Sequence, residues 1–345
     1  MPDQRRSNVF VFGAGASIHA NYSLASKMGA ELLDFMLNYK FEDDRYKSSA
    51  NNLIEMFGNN PNIEDLISEI EARLDNLEDA ETDDDRMTRI ILRDSLTHIA
   101  QMLREWFYIL HDSPANLYAQ FADRIVKAGD TVITFNYDDS LDRELKRAGK
   151  WDLSHGYGFP LGEAKTKSEV LLLKLHGSVN WLLSIFGGIT SGGAFQISTN
   201  MGALGESPVI TERDTKYLGY SKFSGRVFTG GAVVMKNVIL PGRCKQFFVE
   251  TSSGKELEWF WNHLWNQAAY ALRKAEKVVI CGYSMPKADV RARDLLLKDT
   301  HKEASITIVS GADSERIAKE FRAAGYKNVQ MIGRGYFEDW IDGPA

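Results

Sequence analysis

The sequence has only two cysteines, Cys244 and Cys281, in 345 residues. That number excludes a disulfide framework and a four-cysteine zinc site. It makes a reducing, cytoplasmic setting the expectation. No apolar run approaches the ~20 residues a bilayer-spanning helix needs, so no membrane association is expected. Met1 to Ser7 is polar and leads straight into an apolar stretch, so no signal peptide is expected either. Basic residues are not in excess: 41 Lys and Arg stand against 47 Asp and Glu, a net charge of −6. This argues against direct nucleic-acid binding beyond a local basic groove. The seven histidines form no H-x-x-x-H pair and no His/Cys cluster, so no metal is expected. A P-loop is missing too. Ser252-Ser253-Gly254-Lys255-Glu256 lacks the first glycine and the hydroxyl residue after the lysine, and no ATPase or helicase motif occurs elsewhere.

The chain has the apolar content of a folded globular protein, 44%, with 26% charged residues. Its length fits one large domain with insertions, or two domains. Val9-Phe10-Val11-Phe12 reads as a buried parallel strand, and Gly13-Ala14-Gly15-Ala16-Ser17 follows at once. A helical pattern then runs from Leu24 to Met36. Strand, glycine turn and helix can hold a phosphate on backbone N–H groups. Ile18 stands where the third glycine of G-x-G-x-x-G would be, so a ligand-free tight turn competes equally with that reading.

A long stretch without clear strands follows. Ile63, Leu66, Ile67, Ile70, Leu74 and Leu77 recur at helical spacing, with acidic residues on the other faces. The acidic run through Asp83, Asp84 and Asp85 reads as an exposed turn, or else as a docking surface for a basic partner. Ile90 to Leu110 is a second helical pattern. The next strand, Thr131 to Phe135, ends in Asn136-Tyr137-Asp138-Asp139. Asn136 and Asp138 are polar groups at the edge where open parallel sheets bind ligands; both are also good caps for the following helix. Val170 to Leu175 is a buried strand ending in His176-Gly177-Ser178. The histidine reads as structural or catalytic, with a glycine beside it that permits close approach.

Phe186 to Gly231 is rich in Gly, Ser and Thr and reads as loops and small hairpins. Core structure is expected again at Val238-Ile239-Leu240. Leu257 to Leu272 is an amphipathic helix whose tryptophan spacing favours packing over base stacking. Val278 to Cys281 ends in Gly282-Tyr283-Ser284, with Asp289 soon after, and Ile306 to Val309 ends in Ser310-Gly311. Val329 to Ile332 is a last short strand. Strands alternating with helices predict an α/β, doubly wound parallel sheet.

Four pieces, in this order, resemble the sirtuin fold, and within it the sirtuin-like NADases of bacterial antiphage defence. They are Phe12-Gly13-Ala14-Gly15-Ala16-Ser17, Thr134-Phe135-Asn136-Tyr137-Asp138, Leu175-His176-Gly177-Ser178, and Gly282-Tyr283-Ser284-Met285-Pro286 with Asp289. Ile63-Glu64-Asp65-Leu66 resembles a further recurrent piece of that branch. Two departures stand out. Ala20-Asn21-Tyr22-Ser23 replaces the branch's Ala-Gly-Tyr-Pro, and no zinc ribbon can form with Cys244 alone.

The resemblance implies one Rossmann-like domain over 1–345, with a helical insertion over 40–127. A Gly-rich insertion over 181–236 would stand in place of the ribbon. It implies NAD as substrate, with Asn136 and His176 catalytic. Gly13, Ala14, Gly15 and Ser17 would hold the pyrophosphate, and Asp138 would face the nicotinamide. Gly282, Ser284, Asp289 and Ser310 would complete the dinucleotide site. The implied reaction is cleavage to nicotinamide and ADP-ribose, or to a cyclic product. A lysine deacylase and a non-catalytic NAD or ADP-ribose module are the alternatives. Implied partners are further copies of the chain, a separate HerA-like ATPase, or a phage trigger.

Overall fold

The computed structural model describes residues 7–38, 44–77, 82–110, 113–152, 156–158, 168–189, 195–198, 209–210, 227–229, 232–238, 254–287, 289–332 and 335–343, with backbone only between 179 and 261. The first apolar run forms β1 (Asn8–Phe12). A 3-10 turn over Ala14–Ala20 follows and closes on Asn21 at φ 66°. Asparagine is among the few residues that tolerate this left-handed geometry. Four helices come next: α1 (Ala25–Asn38), α2 (Arg45–Phe57), α3 (Ile63–Asn76) and α4 (Asp83–Leu110).

The acidic residues Asp83, Asp84 and Asp85 do not make a turn; they are the first turn of α4. There they complement the positive end of the helix. The Thr82 hydroxyl donates to Asp85 Oδ2 and accepts from the Asp85 N–H, a reciprocal cap. The remaining acidic residues between α3 and α4, at 78, 79 and 81, lie outside the described residues.

After α5 (Asn116–Gln120), which runs on into a π turn over Phe121–Ile125, come β2 (Thr131–Thr134), α6 (Ser140–Arg147) and β3 (Leu171–Lys174). Strands β4 (Gly177–Ile189), β5 (Phe195–Ser198), β6 (Val209–Ile210), β7 (Val227–Thr229) and β8 (Ala232–Val238) form a separate antiparallel sheet. Val238, read from sequence as resumed core, ends β8 of this second sheet and pairs with Gly177. Residues 239 and 240, Cys244 and the loops around β5 to β7 lie outside the described residues. The chain closes with α7 (Gly254–Lys274), β9 (Lys277–Cys281), α8 (Val290–Lys298), β10 (Ser305–Val309), α9 (Ser314–Ala323), β11 (Val329–Met331) and α10 (Phe337–Ile341).

Six strands make one parallel sheet in the order β11-β10-β9-β1-β2-β3. Numbered among themselves, they run 3-2-1-4-5-6, the order of the doubly wound dinucleotide folds. The strand order reverses between β1 and β9, and a crevice opens at such a point. The register puts Lys174, Thr134, Phe12, Cys281 and Val309 in one row across five strands. Residues just beyond that row therefore emerge along a single edge. Beneath it, Phe12 packs edge-on against Tyr118 and Phe121, with ring centroids 5.6 and 5.0 Å away. Those rings anchor β1 and leave the turn after it little freedom. Among the described residues no helix is long and apolar enough to cross a membrane.

Candidate active site

A cavity of about 450 Å³ opens at this edge. All eleven residues that sequence reading assigned to a dinucleotide line it: Gly13, Ala14, Gly15, Ser17, Asn136, Asp138, His176, Gly282, Ser284, Asp289 and Ser310.

The glycines also have a packing role. The loops after β1 and β9 lie back to back. The Gly13 N–H donates to the Cys281 carbonyl at 3.0 Å, and the Gly15 N–H to the Gly282 carbonyl at 2.8 Å. A Cβ at Gly13 would sit 2.6 Å from Tyr283 Cα, and one at Gly282 (φ +62°) 2.1 Å from the Ala16 nitrogen. These residues are glycine because two backbones touch, whatever a phosphate requires. Their N–H groups are already committed. Of the Gly13, Ala14 and Gly15 N–H groups, only that of Ala14 carries no bond among the described residues.

Asn136 sits at the tip of β2 and is buried. Its Nδ2 donates to the Gly13 carbonyl at 3.0 Å and to Ser17 Oγ at 2.9 Å. The Ser17 hydroxyl in turn donates to Asp138 Oδ2 at 2.8 Å and lies 2.8 Å from the Tyr118 hydroxyl. Ser17 is thus engaged on every side, and it ties the β1 turn to the β2 tip. The Asn136 carboxamide oxygen has no hydrogen-bond partner among the described residues, although the amide is fixed at its nitrogen. It is an oriented acceptor on the cavity wall.

Asp138 caps α6 by accepting the Ser140 N–H at 3.1 Å. Burial pushes its carboxyl up, and the nearby Lys174 pulls it down. Lys174 itself is fully buried at the end of β3. Its ammonium donates to the Asp138 carbonyl at 2.6 Å and pairs with Asp142 Oδ2 at 3.1 Å, while the Tyr157 hydroxyl donates to Asp142 Oδ1. This buried pair braces the segment that carries Asn136.

His176 emerges two residues beyond β3. Its Nε2 lies 3.3 Å from Asp289 Oδ2. The same oxygen accepts the Tyr283 hydroxyl at 2.9 Å, and Asp289 Oδ1 accepts the Ala292 N–H at the start of α8. Phe135 completes the clamp: its ring stacks on Tyr283 with centroids 4.4 Å apart and lies 4.9 Å from the His176 ring. The histidine is held by a carboxylate that is itself held twice. Beside it the backbone is strained, since Met285 adopts φ 47°.

At the other end, Ser310 follows β10. Its buried hydroxyl has no hydrogen-bond partner among the described residues. Gly311 (φ +56°) donates its N–H to the Gly335 carbonyl, and Tyr336, 57% exposed, stands on the wall beside them. Ser284 is exposed at the rim.

Sequence reading missed several residues that shape this site. Lys174 had a signal, a lone charge inside the apolar run Val170 to Leu175. Tyr118 had none; it looks like any core aromatic until the turn brings Ser17 to it. Glu64 lines the cavity from the first turn of α3.

No protein-family model matches this chain, and neither does any curated protein. Among solved structures it is similar to a Sir2 homologue in complex with NAD, at a TM-score of 0.40 and 13% identity, over 98% of this chain and 87% of that one. A Sir2 homologue with ADP-ribose gives 0.38 and 11%, over 98% and 90%. A structure concerned with the mechanism and regulation of Sir2 enzymes gives 0.36 and 14%, over 98% and 92%. With all three scores below 0.5, the strand order and the cavity alone carry the fold assignment. Among the described residues no cluster of three metal-ligating side chains occurs.

Proposed function

We propose that the chain binds NAD along this edge and hydrolyses its nicotinamide–ribose bond. The observation that supports it is the meeting of Asn136 and His176, from two different strand tips, on the wall of one cavity at the point where the strand order reverses. One is a rigid acceptor; the other is a histidine held against a carboxylate.

Nicotinamide leaves a cationic ring as a neutral molecule, so the leaving group needs no proton. The protein has to place the ribose and stabilise positive charge at its anomeric carbon. The Asn136 carboxamide oxygen suits both tasks, because it can orient a water or face that carbon. His176 accepts a proton from a ribose hydroxyl or from the attacking water. The Ala14 N–H and the free Ser310 hydroxyl are the donors for pyrophosphate and adenosine ribose. The products are nicotinamide and ADP-ribose, or a cyclic form when a group of the substrate itself attacks. Asp289 positions the base. Asp289→Asn keeps a good helix cap but removes the charge beside His176. It is expected to cut kcat about 10²-fold with KM and Tm nearly unchanged.

The four motifs extend the proposal to an NAD-depleting effector of antiphage defence. Its activity would be held back until copies assemble, or until a separate ATPase or a phage component engages it. A free-running NADase would be toxic, which is the reason to expect such restraint. Nicotinamide and ADP-ribose measured after incubation with NAD, alone and with candidate partners, tests the reading. NAD that stays intact under every condition removes it.

A further inference from the structure

Resting on that reading, we infer that Glu320, on α9, is a positioning residue for the reaction. Through Arg293 and Arg316 it fixes the loop between β9 and α8 that presents Tyr283 and Asp289 to His176. One part of this loop belongs to the site: Phe135 stacks on Tyr283, and both the Tyr283 hydroxyl and the His176 ring come to Asp289 Oδ2. Two carbonyls of the same loop are taken by arginines of the helices that follow. The Arg316 guanidinium, from α9, donates to the Ser284 carbonyl, and Arg293 Nη1, from α8, donates to the Met285 carbonyl at 3.0 Å. These bonds fall at the strained point. Met285 holds φ 47° with its side chain fully buried, and such a geometry persists only where the surroundings over-determine it.

Glu320 joins the two arginines. Its Oε1 accepts from Arg316 Nη1 at 2.8 Å. Its Oε2 lies 2.7 Å from Arg293 Nη2, an ion pair rather than an aligned hydrogen bond. Asp313 Oδ1 accepts from Arg316 Nη2 at 2.8 Å. Spacings of three and four residues put Asp313, just before α9, on one side of that helix with Arg316 and Glu320. Two guanidiniums drawn to adjacent carbonyls repel each other. With Glu320 gone, Asp313 would be the one carboxylate of this set left for both. The side chains of Arg293 and Glu320 are only 22% and 23% exposed, so solvent and salt screen that repulsion less than they would on the open surface. Losing Glu320 therefore releases the arginines, then the two carbonyls, then the loop that holds Asp289 at His176. A carboxylate on the helix between β10 and β11 sets the geometry of a base carried just beyond β3.

The test reads the loop without NAD and the reaction with it. Hydrogen exchange is followed by mass spectrometry on peptides covering 282–292 of the unliganded protein. There the Ala292 N–H is held by Asp289 Oδ1 and the Asp289 N–H by the Pro286 carbonyl, so exchange reports on Asp289 itself. Values of kcat and KM for nicotinamide release are measured under the conditions in which wild type is active. The proteins are wild type, Glu320→Ala, the milder Glu320→Gln, and Glu315→Gln, which removes an exposed charge paired with Lys319 on the same helix. Melting temperature is not the readout, since any lost ion pair can move it. Both Glu320 variants should exchange about 10-fold faster over 282–292. They should also lose about 10-fold in kcat, with KM nearly unchanged. Glu315→Gln should match wild type in exchange and in kcat. Unchanged exchange over 282–292 in both Glu320 variants overturns the inference, and so does faster exchange with wild-type kcat; either leaves NAD cleavage by the wild type standing. A wild type that leaves NAD intact under every condition overturns the parent reading, and this inference with it.

Discussion

His176→Ala is expected to lower nicotinamide release by about 10³-fold or more, since it removes the only base among the groups assigned to the reaction. The variant should fold normally. Asp289 keeps its bonds from Tyr283 and from the α8 backbone when the imidazole is gone. Asn136→Ala should be equally inactive, but for a mixed reason. Its amide nitrogen donates to the Gly13 carbonyl and to Ser17, and losing these two buried bonds costs about 1–3 kcal/mol. A fall in Tm is therefore expected for Asn136→Ala and not for His176→Ala. Nicotinamide release by chromatography and melting by calorimetry, on the same preparations, separate the two effects. Wild-type release from His176→Ala would remove the histidine from the mechanism.

The largest effect on stability is expected at Lys174. Removing one member of a buried ion pair leaves the other charged and unsolvated, at a cost of about 3–5 kcal/mol. Lys174→Ala strands Asp142 and takes the donor from the Asp138 carbonyl. The loss should show as a large drop in the denaturant midpoint and in NAD cleavage together, because the β2 tip loses its brace. Replacing both partners with apolar residues, Lys174→Met with Asp142→Leu, should recover much of the stability. It should not recover the activity, since the Asp138 carbonyl still has no donor. A single Lys174→Ala variant with wild-type stability would contradict the role assigned to the pair.

The parallel sheet was legible because its strands are short continuous apolar runs ending in small or polar residues. Val9 to Phe12, Val278 to Cys281 and Ile306 to Val309 show this plainly. Their in-register pairing carries sequence-adjacent residues to one edge, so strand-end chemistry could be read off the chain. What could not be read depends on contacts between distant segments. Gly13 and Gly282 read as ligand-facing glycines, and the close packing of the two loops that carry them could not be read from the chain. The burial of Lys174 depends on Asp142 and on the Asp138 carbonyl, from the segment between β2 and α6. Ile63-Glu64-Asp65-Leu66 reads from the sequence as a recurrent piece without a site role, and only the packing of α3 on α1 brings Glu64 to the cavity wall. The second sheet was the least legible part. Its Gly- and Ser-rich pieces have no strong alternation, and β4 runs on without a break from the His176 turn.

The central claim is that a dinucleotide lies along the strand tips with its sugar between Asn136 and His176. A crystal structure of His176→Ala soaked with NAD tests it most directly. The pyrophosphate is expected beside Ala14 at the β1–β9 junction, the nicotinamide ribose against Asn136, and the adenosine ribose against Ser310. A dinucleotide bound elsewhere on the molecule, with this cavity holding only solvent, would contradict the account.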